Sequence, residues 1–345
     1  SEVLLTYESD GNGGVKITSA TLSDTVTSYD IPSEINGKPV TVIGSRLFKE
    51  NKNLVSVTIP EGVTTIEDMA FGLAENLVSV TIPSSVNSIG KKAFSECGKL
   101  ESVVIPEGVT IINESTFWGC KSLRSVTIPN SVTIIGSSAF SYCSSLESVT
   151  LPENLTSIGF NAFGYCKKIT SIVIPDNVTE IGDYAFSNCT NLNSVTMSKN
   201  VTSIKEGTFM YSGLKSVTIG ENVTSIGDEA FNNCSKLESI TIGSGVTTVG
   251  ADAFKNCNNV KTVICGSSAI SNQLPAASEV LLTYESDGNG GVKITKATLS
   301  DTVTSYDIPS EINGKPVTVI GSRLFIGNKN LVSVTIPEGV TTIED

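Results

Sequence analysis

The residues with most chemistry to offer are cysteines. Cys97, Cys120, Cys143, Cys166 and Cys189 recur every 23 residues, and Cys234 and Cys257 rejoin the same phase. A row of thiols at fixed spacing raises three chemistries: disulfide formation, metal ligation and nucleophilic attack. Stacked parallel repeats would hold neighbouring Cα atoms ~4.8 Å apart with Cβ atoms pointing the same way, beyond the ~3.8 Å between Cβ atoms that a bridge prefers. A metal needs converging ligands rather than a row. The same phase also accepts Ala74 and Ser212, so it asks for a small buried residue. Inert free thiols are the expectation. Cys265 stands apart, replacing a strand isoleucine in the last repeat; a core substitution near a frayed end is expected there, with a partly exposed thiol as the alternative.

Other chemistries find little purchase. The 345 residues contain no histidine, which removes the commonest general base and the commonest metal ligand. There is no G-x-x-x-x-G-K-[ST] and no CxxC, and "GNGG" at 11–14 is followed by no helix, so it reads as a hairpin turn and not a phosphate loop. Paired carboxylates such as Asp228 and Glu229 sit side by side on an exposed face, with nothing to set them across a cleft for glycosidase chemistry. "NLT" at 154 and "NVT" at 177, 200 and 222 match the glycosylation pattern but fall in phase with the repeat and read as its by-product. No catalytic, cofactor-binding or metal-ligating residue is assigned. A net charge of −12 argues against nucleic acid and anionic membranes as partners. No apolar run reaches the ~18 residues of a membrane helix, so no direct membrane insertion is expected.

Aromatic residues offer contact in place of catalysis. Trp118, Tyr142, Phe160, Tyr165, Tyr184 and Tyr211, with Met210, fall at outward positions that hold Ser, Asn, Lys, Asp or Gly in most other repeats. Together they would make one apolar patch, and Trp and Tyr are common anchors of interfaces. The plainer alternative is that each ring covers its neighbour. A second candidate surface is the row of strand hydroxyls, among them Ser102, Ser125 and Thr127, although Thr is in any case a good strand residue.

These residues are positioned by a repeat. Phenylalanines fall at Phe48, Phe71, Phe94, Phe117, Phe140, Phe163, Phe186 and Phe209, each 23 residues apart, then at Phe231 and Phe254. A second column runs Ile59, Ile82, Ile105, Ile128, Leu151, Ile174, Met197, Ile219 and Ile242; proline follows the first six and then gives way to Ser198, Gly220 and Gly243. Within each unit "LRSVTIP" alternates like a short strand stopped by proline, "VTIIG" is a second extended piece, and "SSAFSYC" has the spacing of about two helical turns. One unit cannot bury its own apolar face, so the units must stack into a solenoid.

"SVTIPNSVTIIGSSAFSYCSSL" and its copies, over about residues 40–265, resemble the treponemal-type leucine-rich repeats of the BspA-like surface proteins. The resemblance implies a β-dominated leucine-rich-repeat solenoid of α/β type: a right-handed superhelix with a parallel sheet and one short helix per turn of 22–23 residues. It also implies a bacterial or protist surface location, and some members are adhesins.

Over the short repeat lies a long one. Residues 1–68 return at 278–345 with three differences, Ser19 for Lys296, Lys49 for Ile326 and Glu50 for Gly327. The expected domains are an N-terminal β-hairpin cap at 1–38, the repeat array at 39–265, a linker at 266–277, and a second cap with the start of a further array at 278–345. The chain opens on Ser1 and not on methionine and stops mid-repeat, as expected of a trimmed piece of a longer tandem array. The functional expectation is a non-catalytic binding or adhesion module, secreted or on a cell surface, that meets a protein or glycan of a host surface or matrix. A passive spacer is the alternative, and a carboxylate-based hydrolase a remote one. Self-association through the open-ended 278–345 segment is also open.

Overall fold

A hairpin begins the fold. β1 (Val3–Ser9) and β2 (Val15–Leu22) pair antiparallel, with a register shift between Thr6 and Tyr7. Gly11 and Gly13 take positive φ in the connecting turn. The turn is locked from inside: Asp10 accepts hydrogen bonds from the amides of Asn12 and Gly14 and from the Thr41 hydroxyl. Those donors, Thr41 foremost, hold the Asp10 carboxyl below its usual range. β3 (Ser28–Asp30), β4 (Glu34–Ile35) and β5 (Lys38–Ile43) follow; β5 runs parallel to β2 and pairs on its other edge with the Thr65–Ile66 strand of the first repeat.

The computed structural model describes residues 2–345 as two units, the first ending at Leu192 and the second running Asn193–Asp345. In the first unit most repeats add two short strands, each paired in parallel with its counterpart one repeat away. Ser56–Thr58 pairs with Ser79–Thr81, and the ladder Ile111–Ile112, Ile134–Ile135, Ser157–Ile158, Glu180–Ile181 runs without a register shift. The phenylalanines from Phe71 to Phe186 are wholly buried and stack ring on ring; Phe140 and Phe163 lie 5.3 Å apart with 9° between their planes. Gly182 is required by close approach, because a Cβ there would lie 2.5 Å from the Phe160 amide nitrogen of the previous turn.

The expected short helix is absent from the repeats. Across Gly136–Cys143 the amides alternate instead. Ser138, Phe140 and Tyr142 donate to the carbonyls of Phe160, Ala162 and Gly164 in the next turn, each at 2.8 Å. Ala139, Ser141 and Cys143 donate three residues back, to Gly136, Ser138 and Phe140. A helix would keep every one of these bonds within its own segment; here half are given to the neighbouring turn, which ties the stack together. The alternation needs left-handed backbone two residues before and two after the phenylalanine, as at Ser138 (φ 56) and Tyr142 (φ 61). Each such non-glycine residue costs about 1–2 kcal/mol. The cross-turn bonds, worth about 1 kcal/mol apiece, and burial of the ring offset that cost.

In the second unit, Ser216–Ile219, Ser239–Ile242 and Thr262–Cys265 form a parallel ladder. The stretch expected as a linker holds a short 3-10 helix, Ser268–Gln273, which buries Ile270; Leu274 after it is buried too. The ladder then continues into Val280–Ser286, the first strand of the second hairpin, whose other edge pairs with Val292–Leu299. Val280, Leu282, Tyr284, Val292 and Ile294 make its core.

Candidate binding surface

The thiol column lies in the core. All eight cysteines are free and buried. Each Sγ from Cys97 to Cys189 donates to the carbonyl of a phenylalanine 26 residues earlier, at 3.1–3.2 Å, as Cys166 does to Phe140. Burial pushes the Cys97 and Cys189 thiols up to about 12, so they carry no thiolate at neutral pH. Cys265 is buried as well and donates to the Ser267 carbonyl. The paired carboxylates have separate partners: Asp228 accepts the amide of Ala251 in the next turn at 2.8 Å, and Glu229 accepts the side-chain amide of Asn232 at 3.4 Å. Asn154, Asn177 and Asn222, the asparagines of three of the N-x-T triplets, donate to carbonyls one turn back.

The aromatic residues project from the tight turns. Tyr142 and Tyr165 occupy the left-handed position two residues after the core phenylalanine, and Tyr184 the one two residues before it. Trp118 follows Phe117, and Phe160 follows Gly159. Stacking brings Trp118 and Tyr142 edge to face at 5.7 Å and lays Tyr142 flat on Tyr165 at 4.4 Å. Phe160 and Tyr184 meet edge to face at 6.0 Å. Phe160 is 50% exposed and Tyr142 39%, with Trp118, Tyr165 and Tyr184 half-buried. Met210 and Tyr211 belong to the second unit, where Tyr211 is 45% exposed and Met210 half-buried.

Trp118 is also the wall of a groove of about 560 Å³ shared with Leu73, Glu96, Lys121 and Tyr142. A wider hollow, about 730 Å³, lies on the strand face beside Ser148, Thr150, Ser171 and Val173. It presents hydroxyls, small aliphatic groups, Asn177 and the acidic residues Glu153 and Asp176, and no aromatic anchor. No group of His, Cys, Asp and Glu placed to hold a metal occurs among the described residues, and no helix among them is long and apolar enough to cross a membrane.

With this geometry in place, likeness to known proteins is informative. The BspA type leucine rich repeat region matches residues 41–170, 156–274 and 293–345. A leucine-rich repeat protein from Bacteroides ovatus is 25% identical, with 99% of this chain and 89% of that one covered and a TM-score of 0.58. One from Eubacterium ventriosum is 21% identical, with 98% and 86% covered and a TM-score of 0.51. No curated protein matches the chain.

Proposed function

We propose that this chain, which belongs to the BspA-type leucine rich repeat family, is a non-catalytic binding module whose contact surface is the strip Trp118–Tyr142–Tyr165 with the groove beside it. The observation that carries the reading is the Tyr142–Tyr165 stack ending on Trp118. Three rings on three successive turns make a rigid, amphipathic ridge, and such rings lose little entropy when a partner covers them. Glu96 and Lys121 flank the groove and would orient the partner's polar groups. The strand-face hollow is wider but lacks an anchor, and area alone does not make affinity. The ligand class is a protein or glycan of a surface or matrix, and the site of action is the cell exterior.

Trp118 is the single tryptophan, so its emission reports the groove directly. Titration with immobilisable matrix proteins and mucin-type glycans should shift that emission for at least one of them. Replacing Tyr142 and Tyr165 with serine should weaken that binding at least tenfold, about 1.4 kcal/mol. Binding that survives both substitutions unchanged would remove the strip from the function and leave the array as a spacer.

A further inference from the structure

The duplicated hairpin occurs in two surroundings. β1 and Val280–Ser286 share the sequence VLLTYES and the same hairpin register, including the shift before the tyrosine. Val280–Ser286 is seated: its outer edge pairs in parallel with Thr262–Cys265, Thr262 opposite Val280 and Cys265 opposite Thr283. Leu282 is then wholly buried and Tyr284 4% exposed. β1 has no strand on that edge among the described residues, and there Leu5, the counterpart of Leu282, is half-buried and Tyr7, the counterpart of Tyr284, is 43% exposed.

The seat is specific. Tyr284 reaches back over two turns and donates its hydroxyl to Glu221 at 2.8 Å. Asn313 Nδ2 donates to the Tyr284 oxygen at 3.1 Å and to Glu221 at 3.3 Å, while the Ser244 amide holds the other Glu221 oxygen at 2.7 Å. The path of the tyrosine crosses the column in which prolines follow the first six strands, and there the last turns carry Gly220, Gly243 and Gly266. A Cβ at Gly266 would lie 2.8 Å from the Tyr284 hydroxyl and ring. A side chain at the Gly266 position, proline included, would therefore collide with the tyrosine. At the first hairpin the matching pair is already assembled, with Asn36 Nδ2 donating to the Tyr7 hydroxyl at 2.6 Å.

We infer that the free edge of β1, with Tyr7 and Asn36, is a docking surface for a second copy of residues 216–266, the glycine-bearing turns that seat the second hairpin here. Docking joins one 277-residue unit to the next, cap onto array end, by a parallel strand ladder and the Tyr–Asn–Glu cluster. The contact is heterologous, so it extends into an open line of units and does not close into a pair.

The test uses the full chain with its own seat opened by Leu282→Asp and Tyr284→Asp, and in parallel by Tyr284→Asp alone. At about 100 μM, where a contact of ~10 μM is mostly formed, the opened chain should sediment as linear oligomers that grow with concentration. Amides of Val3–Ser9 should then exchange with solvent at least tenfold more slowly than in the parent chain. Adding Tyr7→Asp, or Gly266→Pro, should return the chain to single molecules. Opened chains that stay single with Val3–Ser9 unprotected overturn the inference, as does association that persists with Tyr7→Asp.

Discussion

At the scale of single residues, the side chains that looked reactive serve the stack. Cys166 spends its one donor on the Phe140 carbonyl inside the core. Replacing it with alanine should lower stability by about 1 kcal/mol, the worth of one hydrogen bond, and iodoacetamide should leave the folded protein unlabelled at the seven column thiols. Addition of reductant should not move the Tm, because no disulfide is there to lose. Glu221 carries a pH signature. Burial raises its carboxyl, but the donors from Ser244, Tyr284 and Asn313 outweigh that and leave it below the usual range. A carboxyl lowered in the folded state contributes stability that is present above its ordinary value of 4.5 and lost as pH falls through the lowered one. Seating of the second hairpin should therefore loosen between about pH 4.5 and more acid conditions, seen as faster amide exchange in Val280–Ser286, and Glu221→Gln should abolish that dependence.

At the scale of the element, the strands and the phenylalanine column were legible, and the tight turns were not. Alternation in "LRSVTIP" and the proline after it mark the strands because sheet pairing selects the same pattern the eye reads. "SSAFSYC" misleads, because Ala139, Phe140 and Cys143 have apolar spacing that also fits a helix. What defeats the helix is a tertiary choice, the donation of every second amide to the next turn, which leaves no local trace where the left-handed residues are Ser138 and Tyr142. The same two phases do carry Gly119, Gly207 and Gly327, and Asn161, Asn188, Asn233 and Asn256, all at positive φ. Glycine and asparagine recurring on either side of a phenylalanine is the signal that could have been read. Since the phenylalanine column joins successive turns, Phe140→Ala should lower stability by about 3–5 kcal/mol, measured by denaturant unfolding. The same replacement at Tyr142, half out in solvent, should cost less than about 1.5 kcal/mol.

At the scale of the whole molecule, the repeat does two jobs with one device. Placing identical turns in register lines up whatever occupies an outward position, so substitutions separated by 23 residues become neighbours, as Tyr142 and Tyr165 do. The candidate residues were thus legible one by one, while their ring contacts followed only from the stack. The Tyr284–Glu221 cluster was not legible, since 63 residues separate the partners; its trace in the sequence is Gly266, standing where the first six repeats carry proline, which has no meaning until the hairpin is seen above it. Successive turns are hydrogen-bonded to each other through their tight corners. Residue-resolved amide exchange across Ser137–Cys143 tests this most directly. Ser138, Phe140 and Tyr142 should exchange at least ~100-fold more slowly than an unstructured chain. Fast exchange at those three, with protection kept at Ala139, Ser141 and Cys143, would mean that the corners close only on themselves and that the turns are not joined.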